Sequence, residues 1–260
     1  MLTATLTFIN RTRGVFPLRW LRRITTMDNE GMLQALFSSV GEEYGYREVT
    51  AGFAPERDLK VVWVRSHGWI DFWVSDYLED APADVLESVA DTIFGRISTH
   101  ENVSYSRPLV DYVTSEEFLA RNRPLYISRI NGVSRDTRGR HTDLSDSYRR
   151  LIDRGLIEDD PSIIIRWAPM AECSDTCHSS ILMRTVCIAR RLDNVFVPAD
   201  VLDFILFSQI AFVQEDFEQN PSNNILHAKE TLRGYPEYER LMGDVAGMGL
   251  KLWRDVSPAN

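Results

Sequence analysis

Cys173, Cys177 and His178 fall within six residues of one another, and His227 follows further along the chain. Two thiols and an imidazole are ligand types that hold zinc, and His227 is the residue that would complete a four-ligand structural site. The spacing is C-x₃-C, looser than C-x₂-C, and no second cysteine pair follows. A labile thiol pair in a loop is the alternative for the same residues. A second group is Ser208 and Gln209, two polar residues in the middle of an apolar run. A buried polar pair needs partners, so it is a place to look for function. Ser208, Phe212 and Glu215 fall on one helical face, which would let Glu215 meet His227 in space. Ser208 as a nucleophile would need a base and an exposing strand-turn-helix elbow, and neither is legible.

The elements that position these residues follow from the pattern around them. From Val201 to Val213 nearly every position is apolar, and Pro198 suits the first turn of a helix. Such a helix has no wet face and reads as buried on all sides. A β-branched strand over 183–189 and the residues Arg191-Leu192-Asp193 precede it. A polar break, then Ile225-Leu226-His227-Ala228-Lys229, and then a helix opening at Pro236 follow. In that last helix Leu241, Val245, Met248 and Leu252 recur as a core stripe.

This order, strand, Leu-Asp pair, proline, apolar helix, downstream histidine, resembles the zinc-helix region of the SprT/YgjP-like (minigluzincin-type) metallopeptidases. The resemblance covers roughly residues 145–255, with Tyr235-Pro236-Glu237-Tyr238 in the downstream part. It implies an α+β fold whose C-terminal half is metallopeptidase-like: helix, small sheet, zinc-type helix, closing helix. The family carries His-Glu-x-x-His on that helix and a third histidine after it. On this pattern the first histidine is replaced by Ser208, the glutamate by Gln209 and the second histidine by Phe212, while His227 stands for the third. Zinc needs two imidazoles at i and i+4, and hydrolysis needs a carboxylate to take a proton from the bound water. Phenylalanine cannot ligate and glutamine cannot act as the base. The resemblance therefore implies a degenerate member: a pseudoenzyme with no cofactor and a vestigial cleft at Ser208, Gln209, Phe212 and His227.

Composition bounds the alternatives. The chain has 260 residues, 44% hydrophobic and 26% charged, as expected of a globular protein with one large or two small domains. No apolar run reaches the length of a membrane span, and no secretory signal is legible. Three cysteines suit a reducing, cytoplasmic setting better than a disulfide framework. The net charge is −9, and residues 1–26 carry five arginines and no acid, so the remainder is more acidic still. Such a body is a poor grip for a nucleic-acid backbone.

Along the chain, residues 1–26 form a basic arm, read as a loosely docked terminus. Residues 27–128 read as an N-terminal α+β lobe, 129–144 as a linker or loop, and 145–260 as the metallopeptidase-like lobe. Asp28 and Asn29 cap an amphipathic helix over 28–44. Runs at 59–64 and 69–74 around Ser66-His67-Gly68 read as a β-hairpin, with His67 an exposed turn residue. Residues 99–114 look irregular, and a short helix from Ser115 is expected to stop at Asn122-Arg123-Pro124. Arg135, Arg138, Arg140 and His141 make the 129–143 stretch a solvated, basic loop. The pentapeptide Pro-Ala-Asp-Val-Leu occurs twice, at 82–86 and 198–202, each time after an apolar strand and before a helix. The N-terminal lobe is thus readable as a partial repeat of the C-terminal one, or as a shared helix start.

The expected function is a non-catalytic binding or scaffolding role toward an unidentified protein or peptide partner. The rival is a metal-dependent hydrolase with ligands drawn from Cys173, Cys177, His178, Glu215 and His227.

Overall fold

A computed structural model describes residues 7–10, 29–99, 103–169, 176–217 and 221–253. The protein is mixed α+β and divides into two compact units, Thr5–Phe118 and Leu119–Asn260. No helix among the described residues is long and apolar enough to cross a membrane.

The first unit contains strands β1 (Thr7–Asn10), β2 (Glu48–Ala54), β3 (Lys60–Ser66) and β4 (Trp69–Ser75), with helices α1 (Asn29–Glu43), α2 (Ala83–Thr99) and α3 (Arg107–Val113). Its sheet has the order β1-β3-β4-β2. β3 and β4 form the expected hairpin, with Val61 opposite Val74 and Ser66 opposite Trp69. The two-residue turn closes because Gly68 adopts φ +81°, a left-handed conformation that costs a glycine nothing. β2 then adds to β4 in parallel. Alternate residues of β4 (Ile70, Phe72, Val74) are buried, and the Phe72 ring packs against Phe37 of α1 and Phe94 of α2 at 5.0 and 5.1 Å. Burial of each such side chain contributes about 1.5–3 kcal/mol relative to exposure. The free side of β2 is met by Gln34, whose amide donates to the Val49 carbonyl and accepts from the Ala51 N–H.

The second unit contains most of α4 (Glu116–Ser128), then α5 (Leu144–Asp153), β5 (Ile164–Ala168), β6 (Cys177–Ser180), β7 (Thr185–Ala189), α6 (Ala199–Gln214), α7 (Pro221–Arg233) and α8 (Tyr238–Gly247). Its sheet has the order β5-β7-β6, with β6 antiparallel and β5 parallel to β7. Every residue from Val201 to Val213 is buried, as the apolar run requires.

The two units repeat one topology. Each runs helix, strand, hairpin, 3₁₀ turn, Pro-Ala-Asp-Val-Leu, helix, and each places its first strand parallel to the second arm of the hairpin. Smaller details coincide as well. The residue before the return strand has positive φ in both, Gly68 and Arg184. Its carbonyl accepts from the start of the first strand in both, from Glu48 N and Ile164 N. Superposing 82–86 on 198–202 places Thr92 on Ser208. Both hydroxyls bond back to their own helix, to the Ser88 and Ile205 carbonyls. A helix-start pentapeptide alone would not bring the sheet order and these hydrogen bonds with it.

Several expectations are corrected. Residues 107–113, expected to be irregular, form α3, begun by Pro108 in its first turn. α4 does not stop at Pro124 but runs through it to Ser128, giving up the one intrahelical hydrogen bond that the proline nitrogen cannot donate. β2 and β6 were not expected; β6 reads Cys-His-Ser-Ser and has no apolar alternation to betray it. α8 ends at Gly247, so Met248 is partly exposed and Leu252 reaches the core from beyond the helix. The 129–144 stretch is a loop packed into the second unit. Ser134 pairs with the backbone of Trp167 on the free side of β5, and the Asp193 carboxylate accepts from the N–H groups of Arg140, His141 and Thr142. The basic arm, residues 1–26, lies outside the described residues except for β1.

Candidate functional site

The middle of α6 carries the residues singled out by type. Ser208 and Gln209 are both sealed from solvent and fully engaged. The Ser208 hydroxyl donates to the Ile205 carbonyl at 2.7 Å. The Gln209 amide nitrogen donates to Ser208 Oγ at 3.0 Å and to the Leu252 carbonyl at 3.3 Å. Its oxygen accepts from the Ser179 hydroxyl of β6 at 3.0 Å. This side chain braces helix, sheet and the chain beyond α8 together, and satisfying each of its groups avoids the desolvation cost of a buried polar atom. Phe212 is equally sealed and belongs to the core around Phe204 and Ile210.

These three side chains therefore line no open cleft among the described residues, contrary to the expectation from the resemblance. The physical reason is that α8 and residues 250–252 pack over this part of the unit, with Thr176 and Cys177 bonding the Lys251 and Leu252 carbonyls. They also do not fit a zinc ion. Phe212 has no donor atom, and the Gln209 amide is spent on protein partners.

His227 sits apart in character, on the outer part of α7 with its side chain 46% exposed. Its Nδ1 lies 3.4 Å from Glu215 Oε2, just past the end of α6. The helical-face argument thus does bring Glu215 and His227 together. Two such ligands without a third give weak cation affinity.

Cys177 and His178 are consecutive on β6, so their side chains leave opposite faces of the sheet and do not converge. Cys177 Sγ donates to the Leu252 carbonyl at 3.1 Å, while His178 is buried with Nε2 2.8 Å from the Tyr126 hydroxyl. Cys173 lies outside the described residues. Among the described residues no group of three metal-ligating side chains comes together.

Two features escaped the sequence. Asp203, the remaining polar residue of the 201–213 run, is buried and held bidentately by Arg150 of α5 at 2.7 and 2.9 Å. An acid inside an apolar run was the available signal, since it demands a counter-charge. Ser179 gave no signal, because β6 itself was not legible.

No protein-family model, no curated protein and no solved structure matches this chain.

Proposed function

We propose that the chain is a non-catalytic, metallopeptidase-like protein that serves as a binding or scaffolding module for a protein or peptide. The observation that carries this reading is Gln209. At the position where the resembled family keeps its general base, this chain has an amide whose donors and acceptor are all consumed in bracing α6, β6 and residue 252. A buried amide so held can neither take a proton from water nor turn toward a substrate. The order α5, β5–β7, α6, α7, α8 supports the metallopeptidase-like part of the proposal. The test is hydrolysis of an unstructured protein such as casein by the purified chain, with and without added zinc. No cleavage above that of a Gln209→Ala variant is expected. Chelator-sensitive cleavage would overturn the proposal.

A second reading is a metal-dependent hydrolase with relocated ligands, and one observation favours it: the Glu215–His227 approach. Zinc-dependent cleavage abolished by His227→Ala would establish it.

A further inference from the structure

The repeat allows each position of one unit to be compared with its counterpart, and one pair differs in a way that implies a ligand. In the second unit, the hairpin turn and the loop before the first strand meet as a closed ion pair. Arg184, at the end of the β6–β7 turn, donates to Asp160 Oδ2 and Ser162 Oγ, both at 2.5 Å. Burial pushes the Asp160 carboxyl up, but the Ser162 hydroxyl and N–H and the Arg184 guanidinium outweigh it and hold the group below the usual carboxylate range.

In the first unit the same two segments bring two guanidiniums and an imidazole. The loop before β2 supplies Arg47, and the β3–β4 hairpin supplies Arg65 and His67. All three line one open groove of about 1000 Å³. Arg65 reaches the Tyr46 hydroxyl at 3.4 Å, and Tyr46 is itself steadied by its ring against Phe94 at 5.6 Å. Among the described residues neither arginine has an acidic partner. The one acid of the lining, Glu48, is paired in register with Trp69, while Arg65 is in register with Ile70, so the two side chains leave opposite faces of the sheet. Two guanidiniums gathered in one groove repel one another until an anion joins them. The hairpin backbone holds them there, through the Arg47 and Glu48 N–H groups on the Gly68 carbonyl.

We propose that this groove binds a phosphate-bearing small molecule, with Arg47 and Arg65 as the forked donors to the phosphate oxygens and His67 beside them. Guanidinium forks match phosphate oxygens in geometry, and a doubly charged anion matches two of them in charge. The inference is independent of α6 and its missing metal ligands.

The experiment is calorimetric titration of the full chain with inorganic pyrophosphate. Saturable binding at one site per chain is expected, weakening as salt is added. Arg47→Gln and Arg65→Gln should each weaken it about tenfold, the loss of one charge-assisted hydrogen bond, with the far-ultraviolet circular dichroism unchanged because both side chains are exposed. Asp160→Asn, which frees the counterpart cation in the second unit, should leave the affinity at the groove unchanged. Absence of binding to pyrophosphate, or equal affinity in the wild type and both arginine variants, would overturn the proposal. So would binding of a single-stranded oligonucleotide without any binding of pyrophosphate.

Discussion

The two units are built on the same plan, yet their central helices live in different surroundings. α2 is amphipathic: Val85, Leu86, Val89, Ile93 and Ile97 are buried, while Asp84, Glu87 and Asp91 face solvent. α6 has no wet face over 201–213. α2 packs on its sheet, α1 and α3, whereas α6 is enclosed by α5, α7, α8 and two strands. The counterparts of Ser208, Gln209 and Phe212 are Thr92, Ile93 and Arg96. Arg96 turns outward to bond the Val103 carbonyl. The polar centre of α6 is therefore not a feature of the shared plan. It belongs to the extra layer that the second unit adds, where Gln209 ties residue 252 into place. What resembles a lost active site is, in physical terms, a cross-brace.

Substitutions can break that comparison, beginning with the largest effect. Phe212→Ala should lower stability by about 4 kcal/mol, since it opens a cavity in a sealed core. Arg96→Ala, its counterpart, loses the hydrogen bonds to the Val103 carbonyl and the Tyr105 hydroxyl at a half-buried site and should cost about 1–2 kcal/mol. Equal losses in denaturant unfolding would contradict the difference in enclosure. Gln209→Glu returns the carboxylate of the resembled family but removes the amide donor to Ser208 Oγ and the Leu252 carbonyl and charges a sealed site. It should cost about 3 kcal/mol and produce no peptidase activity, read by the same unfolding and by casein cleavage.

Gly139→Ala would place a Cβ 2.5 Å from the Asp193 carboxyl carbon. A loss of about 2 kcal/mol is expected, as overpacking typically costs. The clamp it disturbs has a pH signature. Burial pushes the Asp193 carboxyl up, but the N–H groups of Arg140, His141 and Thr142 outweigh it and depress its pKa. A depressed folded pKa means that the clamp stabilises above the unfolded value of about 3.9 and fades as pH falls through the folded one. Asp193→Asn should flatten the acid limb of a stability–pH profile; an unchanged limb would remove the clamp from the account. The smallest effect is expected in the other hairpin. Gly68→Ala forces a side chain into the left-handed region and should cost about 1 kcal/mol in thermal unfolding.

Much of this was legible in the residues because the strong signals are local. The apolar run 201–213 could only be an enclosed helix, and the hairpin around His67-Gly68 was written in its β-branched arms and its glycine. The repeated Pro-Ala-Asp-Val-Leu hinted at a shared plan, but the parallel pairing of β2 with β4 and β5 with β7 is a long-range fact that no local pattern carries. β6 was hidden because His178, Ser179 and Ser180 are polar by type and buried by context. The polar pair in α6 was found, and its partners were not. Ser179 and the Leu252 carbonyl reach Gln209 only through tertiary packing.

The central claim, that α6 holds a structural brace where a metal centre would be expected, is tested most directly by zinc stoichiometry. The chain should be purified without chelators and its metal measured after exposure to zinc in excess and removal of the unbound ion. No zinc at one per chain is the outcome foreseen. One tightly held zinc per chain, lost in His227→Ala, would contradict it.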